Sequence, residues 1–300
     1  MKNLGMVLLL LLSASTAMLA STSTQEKDGL VALYNSTNGD DWTNSWNTDD
    51  GPCNDIEPWY GVTCNDQDEI TELDLEDNNL VGTIPEGIEN VINLVTLNLS
   101  KNSLSGSIPS SIGDGEGDGD LKKLESLNLS NNNLTGKIPK ELGNLGELTL
   151  IQLDGNKLTG SIPIELGKLT KLKYLYLWVN QLTGSIPSEI GEIESLVNID
   201  FSENNLVGVI PSKLGSLSEL LELKLNNNML TGVIPQEITN LTLENNTSLN
   251  LTTNCSLNSS NSDVQDFIVN NSAVDSYDPD FLATQGSCIN ITPMITYILN

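Results

Sequence analysis

The sequence predicts a solenoid of stacked structural repeats, and two periodic patterns are the basis of this prediction. The first pattern is Leu-Thr-Gly-Ser-Ile-Pro, which occurs at residues 158–163 and again 24 residues later at 182–187. Variants of it occupy residues 80–85, 104–109, 134–139, 206–211 and 230–235. Seven of the eleven prolines belong to this pattern. A fixed period of this length indicates units that stack on one another, so the prolines mark the architecture.

The second pattern, Leu-x-x-Leu-x-Leu-x-x-Asn-x-Leu, leads into each copy of the first and predicts a parallel sheet. Because Leu-x-Leu alternates, we expect a short strand with its leucines directed inward and the x residues outward. One unit cannot bury its leucines alone, whereas stacked units share a continuous core. The Asn amide can satisfy backbone groups in its own unit and in adjacent units. The asparagines of units one to seven are Asn78, Asn102, Asn132, Asn156, Asn180, Asn204 and Asn228.

This combination of patterns resembles the leucine-rich repeat family, in particular its plant-type subclass with the Leu-x-Gly-x-Ile-Pro extension, over roughly residues 24–255. The resemblance implies a curved, right-handed α/β solenoid of 24-residue units, with a parallel β-sheet on the concave face. Asn-Gly-Asp-Asp-Trp at 38–42 and Trp-x-Gly-Val-x-Cys at 59–64 resemble a particular N-terminal cap. That cap is typical of the receptor ectodomains of this family and of polygalacturonase-inhibitor-like proteins.

The chain divides into four predicted segments. Residues 1–20 have a short charged start, an apolar run and then small residues, which is typical of a secretory signal peptide. Residues 21–69 are the N-terminal cap, residues 70–254 hold seven full repeats and one degenerate repeat, and residues 255–300 are the C-terminal cap. We expect the three cap tryptophans to be core rather than a ligand site. No apolar run is long enough to span a bilayer, so we expect a secreted or cell-surface protein without a transmembrane segment.

The four cysteines lie in two local groups, one near each end of the repeat array. Cys53 and Cys64 flank the start, and Cys255 and Cys288 flank the end. In an exported protein this arrangement favours two disulfides that staple the end caps. Four cysteines allow three pairings, of which we favour the local one. Free or metal-binding thiols are the alternative.

The composition argues against several classes of function. The formal net charge is −27, and the chain contains neither Arg nor His. Such a surface repels nucleic acid and anionic lipid and favours cationic partners or metal ions; the alternative is that the charge serves solubility alone. Without His, a Ser-His-Asp or Cys-His arrangement cannot form. Pairs of carboxylates could act as acid and base, but the acids are spread along the chain, so we predict that the protein is not an enzyme.

The first candidate site is an aromatic row in unit five, formed by Tyr174, Tyr176 and Trp178. Residues i, i+2 and i+4 of a strand share one face, so these three side chains are expected to lie in line on the concave face. The outward neighbours in units four and six are Leu150, Gln152, Asp154, Asn198, Asp200 and Ser202. Aromatic residues in a polar field are typical interface anchors, and sugars also stack on them. The alternative is that the rings pack only on one another and on Leu150.

The second candidate site is an acidic insertion that lengthens unit two, since the step from Asn102 to Asn132 is 30 residues rather than 24. Its spacing is similar to that of an EF-hand calcium loop, in which alternate acids and a distal Glu bind the ion. The predicted ligands are Asp114, Glu116, Asp118, Asp120 and Glu125. No EF-hand helix is expected before the loop, so a flexible acidic insertion is the alternative. No cofactor is required, and calcium is the one candidate ion.

The third candidate site is a threonine ladder along the Leu-x-Gly-x-Ile-Pro edge. Its members are Thr135, Thr159, Thr183, Ser161 and Ser185, and Val207, Val209 and Val233 interrupt it. Some plant-type leucine-rich repeat proteins bind ice through regular faces of this kind. Sequons at Asn98 and Asn128 would place glycans on the concave strands if the source is eukaryotic.

The sequence therefore predicts a secreted, non-enzymatic protein that binds an extracellular protein or glycan on its concave face. Resemblance to receptor ectodomains makes recognition of a protein the leading choice. A structural or adhesive cell-surface protein and an ice-binding protein are the alternatives.

Overall fold

The computed structural model describes residues 24–53, 58–114, 121–243, 248–254 and 256–271. Its main feature is a nine-stranded sheet with the order β1-β2-β4-β6-β7-β9-β11-β13-β15. The strands in chain order are β1 (Val62–Cys64), β2 (Ile70–Asp74), β3 (Val81–Thr83), β4 (Thr96–Asn98), β5 (Ser103–Ser105), β6 (Ser126–Asn128), β7 (Leu150–Gln152), β8 (Thr159–Gly160), β9 (Tyr174–Tyr176), β10 (Gln181–Leu182), β11 (Asn198–Asp200), β12 (Val207–Gly208), β13 (Glu222–Lys224), β14 (Met229–Val233), β15 (Leu249–Asn250) and β16 (Ser256–Asn258).

The large sheet is parallel except at its first pair, in which β1 runs antiparallel to β2. Neighbouring strands pair at equivalent positions of the repeat, as Leu73 with Leu97 and Leu97 with Leu127. These leucines are fully buried. The predicted stacked array with a parallel sheet and a shared leucine core is confirmed, and residues at one pattern position form a row across the sheet.

The unit asparagines join adjacent repeats, as the sequence predicts. The Asn156 side-chain nitrogen donates to the carbonyls of Leu129 (3.0 Å) and Leu153 (3.1 Å). Its side-chain oxygen accepts the amide of Leu134 (3.0 Å). Asn156 is buried, so these bonds satisfy backbone groups that water cannot reach.

The segments after each Ile-Pro form short 3-10 helices, which contact one another from unit to unit. Proline precedes them because its fixed φ suits the entry to a helical turn. They span Glu86–Asn90, Ser110–Gly113, Lys140–Asn144, Ile164–Lys168, Ser188–Glu192, Ser212–Ser216 and Gln236–Asn240, and a further one at Gly39–Asp41 lies in the cap. Three small parallel sheets along the Leu-x-Gly-x-Ile-Pro edge pair β3 with β5, β8 with β10, and β12 with β14 and β16. Gly160, in β8 of these small sheets, has a left-handed backbone (φ +77°), a conformation that favours glycine. A Cβ at this position would lie only 2.9 Å from Lys137 Cγ.

The N-terminal cap covers the first repeat with a helix and an aromatic cluster. Helix α1 occupies residues 24–36. Trp42, Trp46 and Trp59 are 3–5% exposed, which confirms that they are core of the cap. Cys53 and Cys64 form a disulfide with their Cα atoms 5.8 Å apart.

The C-terminal end carries helix α2 (Ser262–Asn271), which packs on the last 3-10 helix of the array. Val264 and Ile268 of this helix are buried. The predicted Cys255–Cys288 pair and the predicted signal peptide lie outside the described residues. Within the described ranges, no helix combines the length and apolar character needed to cross a bilayer.

Candidate functional site

The aromatic row lies on the outward face of β9 and the residues after it. Leu175 and Leu177 alternate with the row and are fully buried, so the aromatic side chains are directed away from the core. Tyr174 is 37% exposed, and Tyr176 and Trp178 are half-buried. The two tyrosine rings stack with centroids 6.3 Å apart and planes at 18°. The row therefore combines apolar area with accessible polar tips.

The predicted neighbours of the row lie on the flanking strands. Tyr174 is in register with Leu150 and with Asn198, and Leu150 is half-buried. Tyr176 is in register with Gln152 and Asp200 in the same way. Strands in a sheet are about 4.8 Å apart, so these side chains form one patch.

Asp154 is the most buried acid of this patch, with only 3% of the residue exposed. Its Oδ1 is buried and accepts no hydrogen bond within the described part of the chain. Burial raises the pKa of this carboxyl from 3.8 to about 6, and the negative charge of Asp200 adds to the rise. Burial is the largest cause because the charged form loses its hydration, and a hydrogen bond from the residue's own backbone amide acts against the rise.

Asp200 is the second carboxylate of the patch, and its Oδ1, unlike that of Asp154, has hydrogen-bond partners among the described residues. Its Oδ1 accepts the Ser202 backbone amide (3.0 Å) and the Ser202 hydroxyl (2.5 Å). Burial raises the pKa of Asp200, and the Ser202 bonds and the charge of Lys224 act against this rise.

Two residues of the patch were not among the predicted site residues. Glu222 accepts a hydrogen bond from the Asn198 side-chain amide (2.9 Å) and forms an ion pair with Lys224 (2.7 Å). The repeat period could have predicted the place of Glu222 in this patch, because Glu222 follows Tyr174 by two 24-residue steps. Asp154, Asp200 and Glu222 are named here the carboxylate cluster.

The carboxylate cluster affects the pKa of Tyr176 beside it. Burial raises the pKa of Tyr176, and the charges of Glu222, Tyr174, Asp200 and Asp154 raise it further. The Tyr176 phenol is therefore neutral at physiological pH and remains a hydrogen-bond donor. The patch thus offers aromatic surface, a phenol donor and carboxylate acceptors side by side.

The structure adds less about the other two predicted sites, the acidic insertion and the threonine ladder. In the acidic insertion only Asp114 and Glu125 are described, while Glu116, Asp118 and Asp120 lie outside the described residues, so calcium binding stays a prediction. No cluster of three metal-binding side chains occurs among the residues with assigned positions. The threonine ladder is exposed at all its members, Thr135, Thr159, Thr183, Ser161 and Ser185.

Two family models match most of the repeat array and the N-terminal cap. Residues 23–65 match the leucine rich repeat N-terminal domain, and seven further segments match the Leucine Rich Repeat. The seven segments are 69–91, 93–114, 123–145, 147–169, 171–193, 195–217 and 219–241. The chain belongs to the leucine-rich repeat family.

Curated relatives of this leucine-rich repeat chain include plant receptor kinases. The nodulation receptor kinase of Pisum sativum is 46% identical over 69 residues, which are 22% of this chain and 7% of the relative. Protein STRUBBELIG-RECEPTOR FAMILY 5 of Arabidopsis thaliana is 34% identical over 109 residues, which are 36% of this chain and 15% of the relative. The chain therefore corresponds to a small part of the length of these relatives.

Solved structures of plant leucine-rich repeat proteins resemble the fold. The PEPR1–AtPEP1 structure has a TM-score of 0.66 and 30% identity over 78% of this chain and 34% of that chain. The plant peptide hormone receptor RGFR1 in complex with RGF2 has a TM-score of 0.56 and 37% identity, and the match covers 62% of this chain and 29% of that chain. A plant ice-binding protein has a TM-score of 0.59 and 28% identity, and the match covers 79% of this chain and 87% of that chain. The chain is homologous to the ectodomains of plant leucine-rich repeat receptor kinases.

Proposed function

We propose that this protein is a secreted, non-enzymatic recognition module that binds an extended peptide or a protein segment across its concave face. The observation that carries the proposal is the aromatic row, which is partly exposed on a sheet whose core is already closed beneath it. Exposed aromatic residues in a polar surround are the usual anchors of protein interfaces. The similarity to a peptide hormone receptor in complex with its ligand supports the same conclusion.

The shape of the row favours a linear ligand. Three aromatic side chains follow one strand, and the polar neighbours on β7 and β11 flank them on both sides. A ligand that crosses neighbouring repeats would contact aromatic surface at the centre and polar groups at the rim. This order resembles the anatomy of protein interfaces, in which a desolvated centre is surrounded by polar residues.

The test is a binding screen of the purified protein against random linear peptides, extracellular proteins and glycans. We expect peptide or protein ligands, and we expect the Tyr174/Tyr176/Trp178→Ala variant to lose their binding. The matched control is Val207/Val209/Val233→Ala, which removes exposed apolar residues from a different surface. Ligands that are only glycans would contradict the peptide assignment. Equal binding by the triple aromatic variant would contradict the site.

Ice binding is the second candidate function, because the threonine ladder is exposed and regular. The backbone amides of Thr159 and Thr183 each donate to a glycine carbonyl of the preceding unit at 2.7 Å, so these threonines repeat at the strand spacing. The similarity to a plant ice-binding protein favours the same function. Thermal hysteresis that disappears in Thr159→Lys and persists in the triple aromatic variant would support it. No hysteresis in the parent protein would remove this candidate.

A further inference from the structure

We propose that the concave face recognises a basic side chain of its peptide ligand, a lysine or an arginine, and that Asp154 is the carboxylate that pairs with it. This inference rests on the proposed function, because it specifies the chemistry of the same ligand. It goes beyond that function because it commits to one residue and to one charge on the partner.

One oxygen of the Asp154 carboxyl group has no partner in the described part of the fold. This atom, Oδ1, is buried. The carbonyl of the same residue is used by the fold, since it accepts the amide of Asn131 (2.8 Å) and the side chain of Asn156 (3.2 Å). Ser130 and Ser202 occupy the equivalent outward position in units three and six. The repeat therefore needs the backbone at this position and does not need an acid.

A buried acceptor without a donor costs free energy in the unliganded protein. Such a cost is expected at a binding site, because a ligand that supplies the missing donor removes it. A positively charged donor removes the larger part, since charge-assisted hydrogen bonds are the stronger ones. The orphaned Oδ1 of Asp154 is therefore matched by a cationic N–H group.

The charges around Asp154 attract a cation, and the neighbouring strands offer the Asp154 carboxylate little positive charge. On β6 the outward residues Ser126 and Asn128 are uncharged, and on β9 they are tyrosines. On β11 the outward residues include Asp200, whose charge raises the pKa of Asp154. On β13 Lys224 is already paired with Glu222 at 2.7 Å.

The aromatic row completes a site for a long basic side chain. Asp154 lies next to Trp178, because the amide that follows Asp154 donates to the Trp178 carbonyl at 3.0 Å. A carboxyl group this buried is reached more readily by the long side chain of Lys or Arg than by a backbone amine. The stem of such a side chain can pack on aromatic rings, and its charge is attracted to their faces.

An organic cation fits these residues better than a metal ion does. Within the described ranges, no three Asp, Glu, Cys or His side chains are placed to hold a metal together. Hard divalent cations require several oxygen ligands, whereas a guanidinium or ammonium group is satisfied by one or two carboxylates.

The experiment compares peptide selection by three forms of the full chain. Phage-displayed random linear peptides are selected on the parent protein, on Asp154→Asn and on Glu72→Gln. Glu72 is the matched control, because it is an outward acid of the same sheet on β2, far from the aromatic row. We expect the parent and Glu72→Gln to enrich Lys or Arg at a fixed peptide position. We expect Asp154→Asn to select peptides without this preference.

The affinity of one selected peptide then tests the pair directly. Asp154→Asn should weaken its binding about tenfold, as expected for loss of a charged hydrogen bond. Replacing the basic residue of the peptide with Gln should weaken binding to the parent by a similar factor and should add little on Asp154→Asn. Circular dichroism of each variant verifies that the fold is retained.

The remaining outcomes separate this inference from the proposed function. Peptides selected without a basic preference would overturn the inference and leave the proposed function standing. If Glu72→Gln lost the preference for basic residues as fully as Asp154→Asn, the preference would be due to the net charge of the protein. The role of Asp154 would then also be overturned. No selected peptide at all, on folded parent protein, would overturn both.

Discussion

Two groups of stacked aromatic residues occur in the described part of the chain, and they differ in their structural role. In the N-terminal cap, Trp46 stacks on Trp59 with ring centroids 4.6 Å apart and meets Trp42 at 4.8 Å. All three are 3–5% exposed. In unit five, Tyr174 and Tyr176 also stack, at 6.3 Å, but Tyr174 is 37% exposed.

The difference follows from the position of each group along the solenoid. The first repeat has no preceding unit, so its leucines would face water unless other apolar groups cover them. The cap tryptophans supply this cover. Unit five has neighbours on both sides, and its own leucines close the core. Its aromatic residues are thus not needed to complete the core, and exposed aromatic area without a folding role marks an interaction surface.

The largest expected effect tests the structural half of this comparison. Trp46→Ala should lower the free energy of unfolding by about 3–5 kcal/mol, because it leaves a cavity in a packed cluster. It also removes the hydrogen bond from the indole Nε1 to the Tyr60 carbonyl (2.9 Å). Urea denaturation followed by circular dichroism measures the change.

The control for this experiment is Tyr174→Ala in the aromatic row. Because Tyr174 is partly exposed, we expect a loss of less than about 1 kcal/mol, as for substitutions outside a packed core. If both variants lost similar stability, the aromatic row would be part of the structural core. In that case the contrast between the two groups, and with it the main support for the concave site, would fail.

Much of the fold could be predicted from the sequence because every unit repeats the same physical requirements. The leucines of Leu-x-Leu are buried and the unit asparagines bond to adjacent units, as their chemistry requires. The 3-10 helices and the small sheets of the Leu-x-Gly-x-Ile-Pro edge were not predicted. Segments of five residues carry too little periodicity to distinguish a helical turn from an extended connection.

The candidate site could be predicted only in part. The period places Tyr174, Leu150 and Asn198 side by side, and the structure has them in register. The burial of Asp154 could not be derived, because alternation predicts an outward direction and does not predict what covers the side chain. Its missing hydrogen-bond partner depends on the positions of individual atoms. Such information exists only in three dimensions.

The smaller expected effect tests the functional half of the comparison, through the stability cost of Asp154. Folding raises the pKa of this carboxyl from 3.8 to about 6, so the folded state favours its protonated form. The favourable contribution is complete below pH about 3.8 and is lost as the pH rises through about 6. The loss amounts to at most about 3 kcal/mol. Asp154→Asn cannot ionise and should not show this loss.

The measurement is the difference in unfolding free energy between Asp154→Asn and the parent protein across pH 4 to 7.5. The difference cancels the carboxyl groups that do not interact with Asp154, and Asp200, whose charge raises the pKa of Asp154, is the coupled exception. Because the parent loses stability in this window, the difference should move in favour of the variant as the pH rises and should level off above about 6. The absolute offset is not diagnostic, since the new amide brings donors of its own that need partners. A difference that stayed constant with pH would show that ionised Asp154 costs the fold nothing, and the argument that a ligand relieves such a cost would then fail.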